Sequence, residues 1–178
     1  DWSSDVCSSD LTAQTGAGVL TLGGNVTGNA AATSANITGN LSLNTVTRTF
    51  TIADGVAAVD MDVAAAVSNG SLTKDGAGQM RLSGASANTY SGLTTVNAGQ
   101  LTLNKTAGVN AIAGNLTIAG GTVQLAAANQ IADSSQVSVA GTLDLNNNNE
   151  TIGSLSGRSE EHTSELQSPC NLVCRLLL

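Results

Sequence analysis

The chain has 178 residues, a formal net charge of −7 and three aromatic side chains, Trp2, Phe50 and Tyr90. Its length suits one ordinary domain. Only six residues are Lys or Arg, which excludes a nucleic-acid binder that works by neutralising phosphates. No apolar run reaches the roughly 18 residues that a transmembrane helix needs.

The two ends of the chain differ in composition from the middle. The flanks, residues 1–11 and 158–178, hold every Cys, His, Trp and Pro but no Gly: Cys7, Cys170, Cys174, His162, Trp2 and Pro169. Both flanks resemble translated sequencing-library adapter, because residues 158–168 match one strand in frame and residues 1–10 match its reverse complement. We therefore expect both flanks to be non-native. Two Cys and one distant His also fall short of the four ligands of a zinc site.

Residues 12–157 form the segment on which the fold is predicted. They contain four basic and seven acidic residues, a net charge of 4 − 7 = −3: Arg48, Lys74, Arg81, Lys105, Asp54, Asp60, Asp62, Asp75, Asp133, Asp144 and Glu150. The segment begins in mid-pattern without a secretion signal. We expect it to be an internal piece of a longer protein.

Short apolar-polar-apolar triplets recur along this segment and predict strands, since period two marks a strand with one buried face. The first series begins at Leu20, Leu41, Met61, Met80, Leu101, Val123 and Leu143, with spacings of 21, 20, 19, 21, 22 and 20 residues. A second series lies between them, at Ile52, Leu72, Leu93, Leu116 and Val137. Two registers share one period of about 21 residues.

Gly or Asn follows most of these triplets, at Gly23–Gly24, Asn44, Gly84, Asn104, Gly120–Gly121 and Asn146. These residues tolerate positive φ, so the chain can turn sharply after each strand. Their frequency excludes long helices. Helical periodicity fits only the Ala-rich run 56–67, which fits a strand equally well.

A unit of about 21 residues cannot bury its own apolar face and must stack on its neighbours. The sequence therefore predicts an all-β protein, a parallel β-helix (β-solenoid) of about seven rungs of roughly 21 residues. A β-sandwich or barrel is the alternative. It is disfavoured by the regular spacing and by the lack of aromatic core residues.

Three motifs carry a resemblance to a known family: Lys74–Gly84, Asn88–Gly92 and Thr94–Asn104. Together they resemble the autotransporter passenger-associated β-strand repeat. The segment 141–157 is similar to one that often follows this repeat, so the resemblance covers residues 72–157. It implies a right-handed β-helix in a secreted, surface-exposed passenger of a bacterial outer-membrane protein, one that normally precedes a C-terminal β-barrel.

Catalytic and metal-binding patterns are scarce in residues 12–157. Without His or Cys, the segment cannot supply Ser-His-Asp or Cys-His nucleophiles, nor zinc, haem or iron–sulfur ligation by those residues. Asp60 and Asp62 share a strand face opposite Met61 and could bind calcium or act as an acid/base pair. We interpret them as a solvated strand face, and Asp144 likewise. No catalytic, cofactor-binding or metal-binding residue is predicted, and no cofactor.

Two further features admit a binding role. Thr45, Thr47, Thr49 and Thr51 alternate along one run. A flat threonine ladder could bind ice or a crystalline polysaccharide, but it would need such residues on several rungs. We therefore interpret the run as ordinary β-propensity. Tyr90 could offer a sugar-stacking platform, although a residue covering a turn is favoured.

These observations predict a structural and adhesive β-helical stalk in a secreted bacterial surface protein, without catalysis. The alternatives are a β-helical polysaccharide-acting enzyme and a carbohydrate- or ice-binding module. The expected partners are host or matrix glycans or proteins that contact the exposed sheet faces. The expected location is the bacterial cell surface, the outer membrane or the extracellular space.

Overall fold

A computed structural model of the chain describes residues 12–157. The expectations about the two flanks, together with Cys7, His162, Cys170 and Cys174, lie outside the described residues.

The described segment folds into fifteen β-strands without a helix, and every strand pairing is parallel. Sheet A contains, in order, β1 (Thr12–Thr21), β3 (Ala35–Ser42), β5 (Met61–Val63), β8 (Gln79–Gly84), β10 (Gln100–Lys105), β12 (Thr122–Leu125) and β14 (Thr142–Asp144), with β6 (Ala66–Ser68) also paired to β3. Sheet B contains, in order, β2 (Val26–Gly28), β4 (Thr47–Ile52), β7 (Ser71–Asp75), β9 (Thr94–Val96), β11 (Leu116–Ile118), β13 (Gln136–Val139) and β15 (Ser154–Gly157).

The chain alternates between the two sheets, so each rung adds one strand to sheet A and one to sheet B. This arrangement is a β-solenoid of about seven turns that repeat about 22 residues apart. The predicted solenoid is confirmed. The sandwich alternative is wrong, because neighbouring strands within each sheet are one rung apart and parallel.

The core lies between the sheets and is built from stacked columns of aliphatic side chains. Leu82, Leu103 and Leu125 stack in register on β8, β10 and β12, and all three are buried. Burying each such side chain stabilises the fold by roughly 1.5–3 kcal/mol. The apolar positions of the sequence triplets are therefore the positions that build the core.

The register of sheet A corrects one expectation. The sequence series placed Leu41 and Met61 at equivalent positions. In the structure Met61 pairs with Ala35, and Leu41 pairs instead with Val67. The rung between Ala35 and Met61 is therefore longer than the period of about 21 residues seen in the sequence. On this rung two short strands, β5 and β6, pair with β3 where a single strand stands on other rungs. The Ala-rich run thus forms strands and no helix.

Sheet B contains a second correction, at the start of β9. The series assigned Leu93 to the buried column, but Thr94 pairs with Leu72 and Leu116 there. Thr94 is fully buried, whereas Leu93 is 43% exposed. The hydroxyl of Thr94 is accommodated because it bonds the Tyr90 hydroxyl at 2.9 Å.

The beginning of the same series needs a third correction. The series placed Ile52 and Leu72 at equivalent positions, but Leu72 pairs with Arg48. Ile52 and Leu72 are both fully buried. They therefore belong to two different positions along the interior face of sheet B.

Half of the predicted turn residues adopt the positive φ that they tolerate: Asn44, Gly84, Gly121 and Asn146. Gly23, Gly24 and Gly120 do not, and neither does Asn104, which lies inside β10. Gly99, at φ +65°, shows a second constraint: a Cβ there would lie 2.5 Å from the carbonyl oxygen of Gly76 in the preceding rung. The corner between the sheets therefore needs glycine both for its backbone angle and for its close stacking.

Candidate functional site

Asp60 and Asp62 are not the solvated pair that the sequence suggested. Their exposed fractions are only 8% and 9%. Asp60 accepts backbone hydrogen bonds from Gly55 and Gln79, at 2.8 and 2.7 Å. This carboxylate therefore fastens the loop before β5 to the next rung.

Asp62 is engaged as fully as Asp60. One of its oxygens lies 2.7 Å from Nη2 of Arg81, and the other accepts a 2.7 Å hydrogen bond from the Ser83 hydroxyl. The hydrogen bond with Asp62 raises the pKa of Arg81. The carboxylate oxygens of both aspartates thus accept hydrogen bonds from donors within the protein. Their hydrogen bonds fasten one rung to the next.

Two lysines lie inside the solenoid, which the sequence reading missed. Lys74 is fully buried, and its Nζ donates to the backbone oxygens of Asp75, Gly76 and Ala98 at 2.9, 2.8 and 3.2 Å. Lys105 is 1% exposed, and its Nζ donates to the oxygens of Ala65 and Ser83 at 3.2 and 2.8 Å.

The burial of these amines lowers the pKa of each lysine to about 8. Nearby carboxylates oppose the shift, those of Asp75 and Asp60 at Lys74 and that of Asp62 at Lys105. The period-two alternation could have indicated that Lys74 points inward, because Lys74 follows the inward-facing Leu72 by two residues. Each ammonium ties carbonyls of different rungs together, so the lysines act as interior clamps.

The outer face of sheet A carries a chain of linked polar side chains. Gln79 and Gln100 both donate to the Thr102 hydroxyl, at 2.8 and 3.1 Å. Gln100 also donates to Gln124, and Gln124 donates to Asp144 at 2.8 Å. The hydrogen bond from Gln124 lowers the pKa of Asp144, with a backbone contribution from Asn146. Much of the hydrogen-bonding capacity of this face is therefore used by bonds between its own side chains.

Tyr90 is not available as a sugar-stacking platform. The side chain is fully buried in the turn between β8 and β9. Burial raises the pKa of Tyr90 to about 12, although its hydrogen bond with Thr94 opposes the shift. The favoured interpretation, a residue that covers a turn, agrees with this position.

The outer face of sheet B brings together residues that the sequence left apart; we call it the hydroxyl face. Its central column contains one hydroxyl per rung on six successive strands, from Thr49, Thr73, Thr95, Thr117, Ser138 and Ser156. Thr47 and Thr51 flank the column on β4, while Thr45 precedes the strand at φ +58°. The threonine run of β4 is therefore joined to a column that crosses several rungs, although β7, β9 and β11 do not repeat its threonine alternation.

The threonine hydroxyls in the middle of the column are available for hydrogen bonding. Those of Thr73, Thr95 and Thr117 make no hydrogen bond to another residue of the described segment. Within residues 12–157 no group of three or more His, Cys, Asp or Glu side chains could hold a metal ion.

A comparison with family models finds the passenger-associated-transport-repeat at residues 72–103 and 98–125. The first match covers β7 to β10 and the second covers β10 to β12. This part of the solenoid is thus similar to an autotransporter passenger repeat, which implies an extracellular, secreted or surface-exposed bacterial protein. No curated protein and no solved structure matches the chain significantly. The described residues also contain no helix long and apolar enough to cross a membrane.

Proposed function

We propose that the chain is a structural and adhesive stalk segment of a secreted bacterial surface protein of the autotransporter type. The single observation that carries the proposal is that two passenger-repeat matches lie within one uninterrupted solenoid. Seven rungs at about 4.8 Å make a rod roughly 33 Å long. Such a rod holds distal binding elements away from the cell, and its outer faces offer weak multivalent contacts.

The stalk is proposed to have no catalytic activity. Support comes from the neighbouring carboxylates of Asp60 and Asp62, whose oxygens are bonded to internal donors. The interior amines of Lys74 and Lys105 are likewise enclosed by backbone carbonyls. We propose the cell surface or the extracellular space as its location.

The experiment inserts the chain between a folded reporter and the membrane anchor of a surface-displayed protein. The reporter's distance from the membrane, measured by fluorescence energy transfer, should increase by roughly 33 Å, the length of seven rungs. A Gly99→Asp variant is the control, because a side chain at this corner meets the carbonyl of Gly76 and should disrupt the rod. An unchanged distance with the original chain would contradict the stalk function.

A further inference from the structure

We propose that the hydroxyl face of sheet B binds a neutral, extended polysaccharide that lies along the solenoid axis. This inference names the ligand for the adhesive part of the proposed function and rests on that part. The spacer part is independent of it.

The two outer faces differ in how their polar side chains are satisfied. On sheet A, Gln79 and Gln100 both bond Thr102, and Arg81 pairs with Asp62. On sheet B, the hydroxyls of Thr73, Thr95 and Thr117 have no hydrogen-bond partner among the described residues. The hydroxyl face therefore presents donors and acceptors that a ligand can use without first breaking an internal bond.

The hydroxyl face carries little charge. Most of its outward side chains in the described segment are hydroxyls and amides, among them Thr95, Asn115 and Gln136, and its one charged member there is Asp75. The described segment is mildly acidic as a whole, at 4 − 7 = −3. A polyanion is disfavoured by this charge. A polycation would have only one carboxylate on this face with which to pair. The face therefore complements an uncharged polymer.

The central column presents one hydroxyl on each rung, at about 4.8 Å. A polysaccharide chain that lies along the axis can therefore meet a hydroxyl on every rung, and such weak contacts add through multivalency. The threonine methyl groups and Leu93, which is 43% exposed, offer apolar contacts to the C–H face of a sugar.

The flanking columns distinguish this ligand from ice. Ice recognition by threonine ladders would require two matching columns. Here the position beside the central column changes from Ser71 to Asn115 to Gln136 along the sheet, and the opposite one changes from Thr51 to Asp75. A single regular column with variable amide neighbours fits one polymer chain better than a crystal plane.

The test measures binding of the 178-residue chain to insoluble cellulose and chitin, with alginate as the polyanionic comparison. The variant is Thr95→Val/Thr117→Val, which removes two adjacent hydroxyls and keeps the β-branched shape. The expected result is binding to at least one neutral polymer and a Kd that rises about tenfold in the variant, from two lost hydrogen bonds.

The matched control is Thr122→Val/Thr142→Val, an adjacent pair on the outer face of sheet A. It should leave the Kd unchanged, and circular dichroism should show both variants folded. The proposal is overturned if neither neutral polymer binds, if both variants bind equally, or if alginate binds best. Ice-crystal shaping that disappears in Thr95→Val/Thr117→Val would also overturn it. Failed binding with an intact reporter displacement would leave the stalk function standing.

Discussion

The N-terminal rungs, residues 12–71, and the C-terminal rungs, residues 72–157, form one solenoid but are held together differently. In the N-terminal rungs the pairings Ala13–Ile37 and Ala35–Met61 enclose longer stretches of chain, and the register shifts between Gln14 and Val19. In the C-terminal rungs the pairings Leu72–Thr94 and Leu116–Val137 stay close to the general repeat of about 22 residues.

Particular polar links between rungs also differ in burial between the two regions. Arg48 links the N-terminal rungs from a half-buried position by donating to the backbone oxygens of Leu22 and Leu43, at 2.5 and 3.2 Å. In the C-terminal rungs Lys105 and Asn88 make such links from fully buried positions. Removing a link from a fully buried position is the more costly change, because it leaves buried polar groups unmet.

The largest expected effect comes from Gly99→Ala in the C-terminal rungs. Positive φ and the 2.5 Å approach to the Gly76 oxygen together should lower the free energy of unfolding by about 4 kcal/mol. Gly24→Ala is the N-terminal control, since a Cβ there meets no atom within 4 Å, and it should change stability by less than about 0.5 kcal/mol. Urea unfolding of both variants measures the difference. Equal losses would show that corner stacking does not distinguish the two regions.

Lys105→Ala should have the next largest effect, a loss of about 3 kcal/mol, because it leaves a cavity and two unmet carbonyls at Ala65 and Ser83. Arg48→Ala removes the corresponding link of the N-terminal rungs. It should lower the free energy of unfolding by about 1 kcal/mol, since the carbonyls it leaves are closer to solvent. Denaturant titrations compare the two variants. A larger loss from Arg48→Ala would reverse the comparison.

Asn88→Ala should lower the free energy of unfolding by about 2 kcal/mol. The side chain accepts from the Val67 backbone at 2.9 Å and donates to the Ala111 oxygen at 2.7 Å, and it is only 2% exposed. Its N-terminal counterpart is Asn25→Ala, which removes an exposed contact to the Thr49 backbone at 3.0 Å. That loss should stay below about 1 kcal/mol. Thermal melts monitored by circular dichroism give the order of the two Tm values.

Alkaline pH should stabilise the protein through the two interior lysines. Their folded pKa is about 8, below the ordinary 10.5. Between pH 8 and 10 the unfolded state therefore binds more protons, and the free energy of unfolding rises with pH, by about 1 kcal/mol or more. Above about pH 10 the raised pKa of Tyr90 acts in the opposite direction.

The measurement is urea unfolding at pH 7.5, 9 and 10. The variant Lys74→Met/Lys105→Met should flatten the rise, whereas Arg48→Met should leave it unchanged. A stability that falls between pH 8 and 9.5 would contradict the interior placement of the amines.

The sequence by itself determined the architecture of this protein. Period-two triplets that recur at a near-constant spacing, separated by Gly and Asn, have one compact solution, because each short unit must bury its apolar face on the next. The buried columns through Leu82 and Leu103 and the turns at Gly84 and Gly121 followed from that pattern.

Only the tertiary structure decided the register and the contents of the two outer faces. Rung lengths vary, since the Ala35–Met61 pairing encloses a longer stretch of chain than the Val137–Leu155 pairing. A period counted along the chain therefore cannot tell which residues stack. Strand pairing decides it, and through pairing Thr95 meets the equivalent threonines of the rungs on either side.

The interior lysines show the same division. Alternation along β7 could have placed Lys74 inside, because it lies two residues after the inward Leu72. The buried ammonium is satisfied by the oxygens of Asp75 and Gly76 in its own rung and by that of Ala98 in the next rung, since an unpaired charge would be too costly to remove from water. The Ala98 oxygen comes into reach through the stacking of rungs, which no local stretch of sequence specifies.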